Sequence, residues 1–180
     1  AFLVAGVTPA QARINSDIVF TDAVLKHVDQ SGNPVADHQE VWQGDHLEFG
    51  VNFDGTNARV AFGDEFTIEL PGFLRLQDTA ALRPMTTADG TRAGECSLNN
   101  TGTNSTVSCV FKEAVRRKKE VKGSIRVTLQ VADTTDTAVA GIGFNGRTQA
   151  VPLPYNKPVS IKPTAPWQPA SKPGGQAEQL

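Results

Sequence analysis

Apolar and polar residues alternate with a period of two through most of the chain, as they do in strands with one buried face. In residues 46–53, Leu47, Phe49, Val51 and Phe53 share one face, and His46, Glu48, Gly50 and Asn52 share the other. Phe66, Ile68 and Leu70 alternate with Thr67 and Glu69 until Pro71-Gly72 ends the run, because proline cannot donate to a ladder. Val107, Cys109 and Phe111 form another stripe, which turns Cys109 inward. Ile125, Val127, Leu129 and Val131 form the next, and Ala138, Ala140, Ile142 and Phe144 a weaker one interrupted by glycines. Val151 and Leu153 close the series. Residues 18–28 are rich in β-branched side chains but change phase midway, as a strand that bends or passes between sheets would.

Turn chemistry separates these runs. Ser31-Gly32-Asn33-Pro34, Asp54-Gly55, Gly63-Asp64 and Ala88-Asp89-Gly90 supply positive φ or side-chain-capped turns. The pattern predicts an all-β sandwich of about seven to nine mostly antiparallel strands, each sheet burying one face against the other. Only residues 112–122 read as helical, and they are too short and too polar for more than a turn or two. Beyond Pro154, Pro158, Pro163, Pro166, Pro169 and Pro173 break any ladder. The expected organisation is a domain over residues 13–154 and a stiff Pro-rich linker, 155–180, that carries Trp167 and leads to a following domain.

Residues 1–12, AFLVAGVTPAQA, combine an apolar run, Pro9 and an Ala-x-Ala triplet, and read as a signal-peptide remnant with the mature protein starting near Arg13. The alternative is a first strand over residues 2–7. A signal peptide implies secretion, and the cysteines agree. Cys96 and Cys109 are the only two, and in an oxidising compartment they form one disulfide closing a polar hairpin loop. Two separate buried thiols are the other reading.

The 17 Lys and Arg nearly balance the 19 Asp and Glu, so the chain as a whole does not attract nucleic acid or anionic lipid. Charge is concentrated in one place: Lys112, Arg116, Arg117, Lys118, Lys119 and Lys122 put six cations into eleven residues. That segment is either a solvated connection or a docking patch for an acidic partner. The turn around Asn52, Asp54 and Asn57 has oxygens at alternate positions, a weak calcium pattern without the distal bidentate glutamate. His27, His38 and His46 stand singly and read as surface strand positions rather than metal ligands. No nucleophile elbow, zinc-binding helix motif or phosphate-cradling glycine loop occurs, and no cofactor is expected.

The run Gly63-Asp64-Glu65-Phe66-Thr67-Ile68-Glu69-Leu70-Pro71 carries a resemblance, together with Gly44-Asp45 before it and Lys122-Gly123-Ser124-Ile125-Arg126-Val127 after it. The sequence resembles the N-terminal Ig-like domains of Gram-positive cell-wall-anchored adhesins, the MSCRAMM group that includes collagen- and fibrinogen-binding proteins. The resemblance implies an Ig-like sandwich at the cell surface, anchored through a C-terminal region outside this sequence. It also implies a non-catalytic role in binding a host extracellular-matrix protein, with collagen as first candidate. In that family the ligand lies between two such domains under a closing linker, which makes Trp167 a candidate contact, alongside Arg116, Arg117, Lys118 and Lys119, which their charge alone singles out. Some members carry a Lys–Asn isopeptide bond, for which Lys26 and Asn145 are the candidates here. A stalk module displaying a distal binder, and an accessory module of a secreted enzyme, are the alternative functions.

Overall fold

The computed structural model describes residues 13–164; the expected signal remnant and Trp167 lie outside that range. Eleven strands follow one another: β1 (Arg13–Ile14), β2 (Val19–Val28), β3 (His46–Asp54), β4 (Asp64–Pro71), β5 (Leu74–Leu76), β6 (Arg83–Thr87), β7 (Arg92–Asn100), β8 (Asn104–Phe111), β9 (Lys122–Val131), β10 (Val139–Phe144) and β11 (Arg147–Pro152). The count exceeds the expected one partly because β1 and β5 have two and three residues, too few for alternation to register. Residues 113–117 of the basic segment form a single 3₁₀ turn.

Hydrogen bonding runs in the order β11-β10-β4-β8-β7-β6-β9-β3-β2, with β1 beside β4 and β5 beside β9. All pairings are antiparallel except β1 with β4. One layer is centred on β4, β8 and β7, the other on β3 and β9. Strand β6 joins them: its first half pairs with β7, a register shift follows Met85, and Thr86 and Thr87 pair with β9.

Register follows burial. Across β3 and β9, Leu47 faces Leu129, Phe49 faces Val127 and Val51 faces Ile125, so both apolar stripes point into the core. A slip of one residue would turn every one of them to solvent. Phe53, Phe66 and Phe111 pack with ring centroids 5.7–5.9 Å apart at the core's centre. The phase change in residues 18–28 is a bulge: register shifts between Thr21 and Val24, and Asp22 takes φ 56°. Gly94 allows β7 and β8 to close, since a Cβ there would lie 2.1 Å from the Val110 carbonyl oxygen. Asn145 (φ 51°) and Gly146 (φ 85°) make the two-residue β10–β11 hairpin turn, in the left-handed conformations that Asn-Gly favours.

Strand direction places the two ends of the domain apart. β3 runs from His46 to Asp54, and at about 3.4 Å per residue it is long enough to traverse the sandwich. Arg13 pairs with Asp64, in register with the Asp54 end, here called the near pole. Trp42 and Ser160 pair beyond the His46 end, the far pole. Packing therefore continues past the expected boundary at residue 154. Val159 is only 2% exposed, because it joins the apolar cluster over Val41 and Leu153.

Candidate functional site

At the far pole the chain is held after β11 by a strap, residues 155–160. Tyr155 and Asn156 both take left-handed backbone conformations, φ 64° and 54°, which turn the chain back across the pole. The Ser160 N–H then donates to the Val41 carbonyl at 3.1 Å, and the Gln43 N–H donates to the Ser160 carbonyl at 2.8 Å. Thr135 and Val159 exchange two further hydrogen bonds. Beneath the strap lies His27, which as a single histidine reads in sequence as a surface strand position but is 8% exposed. Its Nδ1 is 2.7 Å from the Tyr155 hydroxyl and its Nε2 is 3.1 Å from the Asp45 carboxylate. Asp45 also accepts the Trp42 N–H at 2.9 Å; His38 packs edge-on against the imidazole, and Trp42 packs against His38 in turn. Burial pushes His27 below the ordinary histidine range; Asp45 opposes that shift and His38 adds to it.

At the near pole a buried carboxylate ties the incoming chain to the sandwich. Asp64 accepts from Arg13 Nε at 2.9 Å, from Asn15 Nδ2 at 2.9 Å and from the Ala61 N–H at 3.0 Å. Asn15 spends its other amide hydrogen on the Ala58 carbonyl. Burial pushes the Asp64 carboxyl up, but the hydrogen bonds from Arg13, Ala61 and Asn15 together hold it below the usual carboxylate range. Asp64 is the aspartate of the Gly63-Asp64 pair, so what reads in sequence as a turn residue is also the pole's central acceptor.

The basic segment lies at the same pole, and much of its charge is met internally. Lys118 bonds to Asp89, whose carboxylate it holds well below the ordinary range with help from Thr87 and Thr91. Lys112 reaches Glu95 at 3.7 Å, Lys122 reaches Glu120 at 4.0 Å, and Arg116 lies 4.9 Å over the Phe62 ring. Arg117 and Lys119 line a shallow depression beside Lys118, and no ion pair holds either of them among the described residues.

The other candidates fall in separate places. Cys96 and Cys109 face each other directly across β7 and β8 and form a disulfide. Lys26 and Asn145 are not brought together. Lys26 is exposed opposite Glu48, toward the far pole. Asn145 sits beside the near-pole start of β2, with its amide donating to the Asn15 carbonyl and accepting from the Thr67 N–H. Nor do Asn52, Asp54 and Asn57 converge. Asn52 bonds to Asp22, Asp54 caps the Thr56 N–H, and Asn57 is exposed. Among the described residues no cluster of three His, Cys, Asp or Glu side chains could hold a metal, and no helix is long and apolar enough to cross a membrane.

A two-layer antiparallel sandwich with a strand passing between the layers agrees with a match of residues 40–138 to the family model of the bacterial Ig domain. The chain belongs to that family. The bacterial Ig domain described here has a fold similar to two solved surface proteins. Against the collagen adhesin of S. aureus the TM-score is 0.53 at 18% identity, covering 85% of this chain and 46% of that one. Against the serine-rich repeat protein of Streptococcus agalactiae it is 0.53 at 13% identity, covering 79% and 47%. The chain thus spans just under half the length of each. No curated protein matches it in sequence.

Proposed function

We propose that this bacterial Ig domain is a non-catalytic module of a Gram-positive surface adhesin, and that together with a following domain it contributes to binding a host extracellular-matrix protein. Collagen is the first candidate, because the fold is similar to that of a collagen adhesin. The observation that carries the reading is the placement of Arg13 and of residues 155–160 at opposite poles. Arg13 is fixed at the near pole, and the polypeptide leaves from the far pole under a fixed strap, an arrangement suited to carrying a following domain at the far pole.

The outer sheet faces also bear on how the module binds. The row Thr67, Ser108 and Ser97 crosses one outer face, flanked by Glu65, Glu95 and Glu69. Exposed large apolar residues such as Val19, Phe62, Leu82 and Val139 are scattered over different elements. A small, polar face of this kind supports the family arrangement, in which the ligand is enclosed between two domains rather than held by one. It equally favours a spacer as the second reading. Arg117 and Lys119 supply a subsidiary contact for an acidic partner, strongest at low salt.

Surface-plasmon binding to collagen and fibrinogen separates the readings. The single domain should bind weakly or not at all, the natural two-domain region should bind, and Trp167→Ala should weaken the latter. Equal binding by one domain would overturn the two-domain mechanism, and no binding by either would leave the spacer. Arg117→Glu with Lys119→Glu should reduce any salt-sensitive part of the signal.

A further inference from the structure

The far pole carries a cleft between the β2–β3 loop and the strap. Its volume is about 370 Å³, within the roughly 300–1,000 Å³ of ligand pockets. The loop contributes Asp37, His38, Gln39, Glu40 and Trp42, and the strap contributes Lys157. Two of these side chains are aromatic and held in place. The Trp42 indole N–H donates to Glu40 at 2.6 Å, its backbone N–H donates to Asp45, and the residue bridges to Ser160 of the strap. His38 lies edge-on to buried His27 with ring centroids 5.2 Å apart, and Trp42 packs on His38 at 6.0 Å. The buried His27–Asp45–Tyr155 network therefore supports two rings that still reach solvent, and little rotamer freedom is lost when a molecule settles against them.

The polar groups around the rings are unspent. Among the described residues no hydrogen bond or ion pair occupies the side chains of Asp37, Gln39 or Lys157, all exposed, and one oxygen of Glu40 is engaged while the other is not. They offer carboxylate acceptors, an ammonium donor and an amide that does both. A pyranose presents matching surfaces: a C–H face for the electron-rich faces of aromatic rings, and a rim of hydroxyls that each donate and accept. Charge disfavours an ionic ligand of either sign, since a cation meets Lys157 and an anion meets Asp37 and Glu40. We propose that this cleft is a saccharide-binding site that takes one neutral pyranose unit of a glycan, its C–H face against Trp42 and His38 and its hydroxyls on Asp37, Gln39, Glu40 and Lys157. All six side chains belong to this domain, so the site works without the following domain that binding of a matrix protein requires. A single sugar in an open cleft binds weakly, and firm attachment comes from many copies engaging many glycan units.

Titration of the isotopically labelled full chain, followed by NMR at pH 7, tests this. The probes are the methyl glycosides of glucose, galactose, mannose and N-acetylglucosamine, with mannitol as a polyol that has no ring face and tetramethylammonium as a cation. At least one glycoside should give saturable shifts in the millimolar range, confined to the Trp42 indole N–H and to amides of residues 37–42 and 155–160, while mannitol and tetramethylammonium give none. Trp42→Ala should abolish the shifts. Asp37→Ala and Gln39→Ala, at exposed loop positions, should weaken binding several-fold while leaving the β3 and β9 amides where they are in the wild type. The assignment fails if no glycoside shifts these signals, or if tetramethylammonium does so in their place. It fails equally if glycoside binding survives in Trp42→Ala, or if neither loop variant weakens it.

Discussion

Replacing Asp64 by alanine removes the acceptor that several donors share at the near pole, and the cost can be assembled from their exposure. Arg13 keeps 61% of its side chain in solvent, so losing its bond to Asp64 contributes only a fraction of a kcal/mol. Asn15 is buried, and one of its amide hydrogens would be left without a partner, at about 1–3 kcal/mol. The Ala61 N–H stands at the rim, where water replaces the carboxylate at smaller cost. The sum is a destabilisation of about 2–3 kcal/mol, with Asp64→Asn losing less because one acceptor oxygen remains. Urea unfolding at pH 7, read as a midpoint shift at constant slope, measures it. The acid limb gives an independent check. The folded Asp64 carboxyl is held below its ordinary range, so its stabilisation is complete above about pH 4 and is lost as pH falls through the depressed value. The gap between wild type and Asp64→Ala should therefore narrow toward pH 2. A gap below about 0.5 kcal/mol at pH 7, or one unchanged in acid, would refute the reasoning.

Two further substitutions address the sandwich itself. Removing the disulfide by Cys96→Ala with Cys109→Ala should cost about 3 kcal/mol on the loop-entropy account for a separation of 13 residues; chemical denaturation of the two proteins decides, and equal midpoints would show that the unfolded hairpin is already paired. Gly94→Ala should destabilise by about 2 kcal/mol or more, because the added methyl meets the Val110 carbonyl rather than a flexible side chain; a thermal midpoint within a degree of wild type would contradict the close approach.

How far the sequence reveals the fold depends on what each strand buries. β3, β4, β8 and β9 bury Phe, Leu, Ile and Val at every second position, so their faces were readable directly. β7 buries Gly94, Cys96 and Leu98, and β6 buries Met85 and Thr87 after a proline, stripes too small or too short to stand out. The near-pole site was half legible: Gly63-Asp64 marks the turn, but its partners Arg13 and Asn15 lie about fifty residues upstream and no local pattern links them. At the far pole the prolines concealed the strap, since Pro158 reads as the end of pairing although Val159 packs and Ser160 still bridges to Trp42. His27 lies two residues after buried Leu25, on the inward phase of β2, and that parity was the one available signal of its burial.

The opposite placement of Arg13 and Ser160 also determines how the module would respond if handles were attached at both ends of the polypeptide and pulled apart. Tension would come in through Arg13 and Ile14 alongside β4 and leave through Val159 and Ser160 alongside Val41 and Trp42. These anchors are short, so the first events under force would be detachment of β1 and of the strap, ahead of any break in the β3–β9 ladder. The Cys96–Cys109 crosslink lies off that path, within a hairpin between the two anchors. Thermodynamic robustness and resistance to extension would thus reside in different residues of the same sandwich. In a single-molecule pulling trace, removing the disulfide would lengthen the final extension without moving the force at which the first anchor yields.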